Sequence, residues 1–153
     1  MEEQGLGLIA PAVREELALL YAASAIFRKS SERVLARWNI TVPQAIVLIR
    51  VIEAKEPIPL TKLARFLLQE SPSVTTLVDR MCERGLVERV HDPHDRRKAL
   101  IVPTRKGRQM REIIWAAWRE VQNDLWGDFS DDERETFREL LRRFRNSNIK
   151  QIA

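Results

Sequence analysis

The sequence predicts a mainly α-helical fold interrupted once by a small β-hairpin, and three observations carry this reading. Apolar residues recur at helical spacing along most of the 153 residues. The period changes after Gly85, where two short strand-like runs flank a charged turn. Positive charge gathers in the same stretch. The formal net charge is +4; residues 1–79 hold nine basic and nine acidic side chains, 112–153 hold seven and nine, and 80–111 hold ten and four. A local basic excess is the electrostatic footprint of a nucleic-acid binder.

The elements follow in order. Pro11 to Trp38 reads as a long helix, with Val13, Leu17, Leu20, Ser24, Phe27 and Ser31 on one stripe. It is apolar on more than one side, which calls for a partner chain. Thr41-Val42-Pro43-Gln44 is a capping box. It opens a buried helix to about Ala54, which Glu56-Pro57-Ile58-Pro59 ends. Leu60 to Leu68 is a short helix with Leu63, Ala64 and Leu67 inward. Ser71 caps the next helix and Pro72 is its first residue. Val74, Leu77, Val78 and Met81 form its apolar face, and Gly85 stops it in a left-handed turn. Leu86–Val90 and Ala99–Val102 are strands joined by a polar turn rich in arginine and lysine. Thr104 caps a second long helix to about Trp126, and Ser130-Asp131-Asp132-Glu133 is a capping box for a last helix. That helix is expected to end near Arg145, with 146–153 frayed.

A short helix followed by a capped helix with a polar outer face is the helix-turn-helix arrangement, and the basic hairpin makes it winged. The second helix then presents Ser71, Ser73, Thr75, Thr76 and Arg80 to a major groove. Arg96, Arg97 and Lys98 sit at the hairpin tip, with Asp95 to orient an arginine; Arg105 and Lys106 add phosphate attraction. The expected partner is double-stranded DNA.

The chain resembles the MarR family of transcriptional regulators along nearly its whole length. The matching stretches are Leu63-Ala64, Val74-Thr75, Leu77-Val78-Asp79-Arg80, Gly85-Leu86-Val87-Glu88-Arg89, Asp92-Pro93-His94-Asp95-Arg96-Arg97 and Thr104-Arg105-Lys106-Gly107. The resemblance implies a winged helix-turn-helix lobe on a helical dimerisation stalk, and a homodimer on a pseudo-palindromic operator. It implies that Arg97 enters the minor groove. Thr76 stands where the family often has arginine. The expected division is 1–38 as N-terminal dimerisation helix, 39–104 as DNA-binding lobe, and 105–153 as C-terminal stalk helices. A repressor released by a small aromatic or lipophilic ligand is expected from the family, with Tyr21, Trp38, Trp115 and Trp118 as candidate pocket residues.

Other classes are less well supported. There is no Gly-rich phosphate loop, metalloprotease His pair or spaced Cys–His motif, so no enzyme and no cofactor are expected. His91 and His94 fall in the wing turn, where Asp92-Pro93 already has a turn role, so no metal is expected. Cys82 is the only cysteine, which excludes an intrachain disulfide. A redox-responsive regulator acting through Cys82 and a protein-interaction module without DNA are the alternatives. No apolar run reaches a membrane span and the acidic Met1-Glu2-Glu3 start lacks a signal peptide's basic region, so a cytoplasmic protein without membrane partner is expected.

Overall fold

A computed structural model describes residues 11–69, 71–92, 95 and 99–152. Among these residues the order is α1 (Pro11–Leu35), α2 (Val42–Glu53), β1 (Ile58–Pro59), α3 (Leu60–Leu67), α4 (Ser71–Glu83), β2 (Val87–His91), β3 (Ala99–Pro103), α5 (Arg105–Trp126) and α6 (Asp131–Ile152). A 3₁₀ turn at Ala36–Trp38 ends the first helix, and Asn39 closes it in the left-handed region at φ 53°. Asparagine tolerates that conformation because its short polar side chain bonds locally.

The Thr41 capping box forms as its residue types dictate. The Gln44 N–H donates to Thr41 Oγ1 and the Thr41 N–H donates to Gln44 Oε1. The α2 helix that follows is the centre of the core. Its Ala45, Val47, Leu48 and Val51 are buried against Leu63 of α3, Val74, Val78 and Met81 of α4, and Ile114 and Ala117 of α5. From α1 only the last turns enter this core, through Val34 and Leu35. The long α5 lies beside α1, joined to it by Arg33–Asp124, and the bidentate Arg37–Glu120 pair at 2.8 Å ties it to the 3₁₀ turn that follows.

Four sequence expectations need correction. The sheet has three strands in the order β1-β3-β2, all antiparallel, because Ile58 pairs with Ile101 and Pro59 with Leu100. The segment that ends α2 thus also closes the hairpin into a sheet. Ser71 is the first helical residue of α4, ahead of Pro72, so it is not an outlying cap. The first helix stops at Leu35 rather than Trp38. Finally, α6 continues to Ile152 rather than fraying after Arg145. No glycine or proline follows Arg145 to stop it, and the Asn148 side chain donates to the Phe144 carbonyl at 2.8 Å.

α3 ends at Leu68, a leucine at φ 52°. Its N–H and that of Gln69 satisfy the carbonyls of Arg65 and Ala64. A Cβ in this region costs about 1–2 kcal/mol. Leu68 is 46% exposed, so little packing offsets the strain. Leu68→Gly relieves it against a glycine entropy cost of about 0.5–1 kcal/mol. The expected net gain is about 0.5–1 kcal/mol, read as a melting temperature raised by about 1–4 °C. A lower melting temperature would show that the side chain contributes more than the strain costs.

Candidate nucleic-acid interface

The polarity of α4 follows from its sequence. Val74, Val78 and Met81 are fully buried, while Ser73, Thr76 and Arg80 are exposed at i, i+3 and i+7. Ser71 is exposed in the first turn and Thr75 is half-buried beside the stripe. The Thr75 and Thr76 hydroxyls donate back to the Ser71 and Pro72 carbonyls at 2.9 and 3.2 Å. Their protons are thus committed to the helix, which leaves lone pairs to accept from outside.

The C-terminal end of α4 is fixed by a Schellman motif. Gly85 adopts φ 66°, its N–H bonds the Cys82 carbonyl at 2.8 Å, and the Leu86 N–H bonds the Met81 carbonyl at 2.9 Å. Buried Leu86 and Met81 share the core beneath it. Arg89 of β2 pairs with Asp79 of α4 at 2.8 Å, tying the helix to the wing's first strand. The hairpin register runs from Val87↔Pro103 to His91↔Ala99. Asp95 is half-buried at the turn; Arg96, Arg97, Lys98 and His94 lie outside the described residues. Arg105 and Lys106 are exposed in the first turn of α5, where Thr104 Oγ1 accepts from the Gly107 N–H at 3.0 Å.

The structure does not gather the four aromatic candidates within one protomer. Tyr21 is 76% exposed on α1. It lies 17 residues before Trp38, roughly 25 Å along a helix. Trp115 and Trp118 meet edge to face at 5.4 Å and pack against the core. Both indole N–H groups are buried without a hydrogen-bond partner. Only Trp38 lines a cavity of about 350 Å³ between the end of α1 and α5, with Val34, Arg37, Ile113, Ala117 and Glu120.

Cys82 is half-buried, and burial pushes its thiol pKa up. Arg89 pulls the other way, while Asp79, Glu83 and Glu88 add to the rise. A thiol held protonated at neutral pH is a poor nucleophile, the reverse of what a redox sensor needs. Among the described residues no group of three or more His, Cys, Asp and Glu side chains is placed to hold a metal. No single helix among them is long and apolar enough to cross a membrane.

Two residues of the region were not singled out from the sequence. Gln44 was read only as part of a cap, and Arg84 only as charge. The Arg84 guanidinium donates to Gln44 Oε1 at 3.1 Å, a contact 40 residues apart that no local pattern announces.

Comparison with known proteins agrees with this geometry. The family model described as MarR family matches residues 38–98. The transcriptional regulator HosA of Escherichia coli O111:H- is 29% identical over 136 residues, covering 86% of this chain and all of HosA. The crystal structure of CouR from Rhodococcus jostii RHA1 bound to p-coumaroyl-CoA is 26% identical, covers 86% of this chain and 93% of its own, and superposes with a TM-score of 0.76. At the level of fold, a mutant MarR from E. coli complexed with operator DNA matches with a TM-score of 0.76 at 24% identity, covering 83% and 91% of the two chains. The helix order, the polar α4 beside a basic hairpin, and these likenesses agree: the chain is similar to MarR-family transcriptional regulators, with the family model matching over residues 38–98.

Proposed function

We propose that this protein is a homodimeric transcriptional repressor that binds a pseudo-palindromic operator in the cytoplasm and is released by a small aromatic or lipophilic ligand. The exposed polar stripe of α4, set directly before an arginine-rich hairpin, carries the reading. In the dimer the two α4 helices enter successive major grooves about 34–36 Å apart. Ser73, Thr75, Thr76 and Arg80 face base edges there, and Ser71 sits at the helix's positive end near phosphate. Arg97, oriented by Asp95, enters the flanking minor groove, with Arg96, Lys98 and Arg105 supplying phosphate attraction. Residues 39–104 form the DNA-binding lobe, and 1–38 with 105–153 form the stalk.

Dimerisation is supported by surface that one chain leaves uncovered. Val13, Leu17, Leu20 and Phe27 of α1 are 43–57% exposed, as are Leu140, Leu141 and Phe144 of α6 at 46–56%. Exposed apolar faces of this extent mark interaction sites. The ligand reading rests on the cavity beside Trp38 and on CouR, which is seen with p-coumaroyl-CoA.

The test is fluorescence anisotropy with a duplex from the protein's own upstream region and a scrambled duplex, across a salt series. Tight, sequence-preferring binding that falls about 10³-fold or more between roughly 50 and 200 mM salt is expected. Arg97→Ala should weaken binding to both duplexes, since a wing contact reads shape and charge more than bases. Binding equal to wild type would remove the wing assignment. No binding of wild-type protein to either duplex at low salt would remove the DNA reading.

A further inference from the structure

The C-terminal end of the recognition helix is held by two other helices, each through its N-terminus. The carbonyls of Arg84, Gly85 and Leu86 follow α4, where a helix leaves acceptors unpaired. Lys106 Nζ donates to the Arg84 carbonyl at 2.8 Å. Thr104 Oγ1 lies 2.6 Å from the Gly85 carbonyl and 3.2 Å from that of Leu86, which also accepts from the Thr104 N–H at 3.2 Å. From the other side, Arg84 donates to Gln44 Oε1 at 3.1 Å, and Gln44 is only 6% exposed at the first turn of α2. Both helices bring the positive ends of their dipoles toward the negative end of α4.

α5 is also the element that reaches the stalk. It is 22 residues long, roughly 33 Å. Farther along it carries Asp124, which pairs with Arg33 of α1, and Glu120, which pairs with Arg37 of the 3₁₀ turn that follows α1. The angle between recognition helix and stalk is therefore set where Lys106 and Thr104 grip the end of α4. We propose that Lys106 and Arg84 are positioning residues that fix α4 to α5 and α2, and so set the spacing of the two recognition helices in the dimer. Lys106, which by sequence belongs with the phosphate-binding cations, acts on the protein's own backbone. This inference rests on the DNA-binding dimer proposed above.

The proposal and a phosphate contact differ in what salt does. A lysine that neutralises a phosphate contributes about 0.9 to the slope of log affinity against log salt, hence about 1.8 for two protomers. A positioning lysine contributes none. Lys106→Met keeps the aliphatic stem and removes the ammonium. Its binding is compared with wild type on palindromic duplexes whose half-site spacing changes by one base pair at a time. Lys106→Met is expected to bind the preferred spacing about tenfold more weakly, as one charge-assisted bond is lost in each protomer. It should discriminate less between spacings at an unchanged salt slope. Arg84→Met should do the same, and Lys106→Arg should restore the wild-type profile.

Amide exchange provides a readout without DNA. The Gly85 and Leu86 N–H groups should exchange faster in Lys106→Met, while thermal melting confirms that the variant is folded. A slope reduced by about 1.8 with an unaltered spacing profile overturns the proposal and makes Lys106 a phosphate ligand. Unchanged exchange at Gly85 and Leu86 overturns it as well, whatever the DNA result. If wild-type protein binds no duplex while exchange responds, the clamp stands and the DNA reading fails.

Discussion

Gly107→Ala should lower the melting temperature by about 6–12 °C, the result of about 3 kcal/mol lost in a chain of this size. Propensity alone predicts the opposite sign, because alanine in a helix is favoured over glycine by about 1 kcal/mol. Packing decides the outcome. A Cβ on Gly107 would lie 2.0 Å from the Leu86 carbonyl oxygen, 3.1 Å from its carbon and 3.2 Å from Leu48 Cδ1. The blocking atom is backbone and cannot rotate away. The same oxygen is held by the Thr104 N–H and hydroxyl, so moving it also loosens the bonds that join α5 to the end of α4. Overpacking of this kind costs about 1–3 kcal/mol, and the upper end applies where no side chain can yield. Thermal melting by circular dichroism at fixed protein concentration reads the change. A variant that melts at or above the wild-type temperature would show that α5 does not approach the Leu86 backbone this closely.

Leu141→Asp is expected to have the larger effect on function. Phe137, Leu140, Leu141 and Phe144 lie along one side of α6 and are 39–56% exposed. From Asp131 to Asn148 every side chain but Arg134 and Asn148 is exposed, so α6 has almost no packing within its own chain. Most of a helix's stability in a protein comes from packing an apolar face, which this 22-residue helix does not do within its own chain. Fully burying each of these side chains in the proposed dimer contributes about 1.5–3 kcal/mol. A carboxylate on that face reverses the sign at one position and leaves a charge to desolvate. Sedimentation velocity should show monomer at micromolar concentration. Operator affinity should fall about 10²–10⁴-fold, because the second half-site is no longer tethered to the first. A Leu141→Asp protein that remains dimeric with full affinity would place the interface elsewhere.

Much of this architecture was legible because local chemistry and tertiary packing agree. Thr41, Thr104 and Ser130 each cap the helix their spacing announces. Gly85 takes the left-handed turn that the end of the apolar stripe requires. Where reading failed, the deciding partner was distant. Ile58 and Pro59 become a strand only because Ile101 and Leu100 lie alongside, more than 40 residues later. The bond from Lys106 to the Arg84 carbonyl at 2.8 Å likewise joins residues 22 apart, and no local pattern announces it. Composition records the aromatics Tyr21 and Trp38 without the 17 residues of chain between them. The persistence of α6 past Arg145 was missed for a different reason, since a polar C-terminal stretch carries no stripe to count.

The two-residue strand β1 has a consequence for how the protein behaves at high concentration. A hairpin on its own would leave one side of β3 with unpaired N–H and C=O groups, a template on which another copy could add a strand. Ile58 and Pro59 cover that side. What they expose in turn is too short to recruit a neighbour, and Pro59 has no N–H to offer one. On the far side α4 packs against β2. The sheet that carries the arginine-rich tip is thus closed to further strands on the β3 flank, which removes one of the two edges at which folded molecules could join.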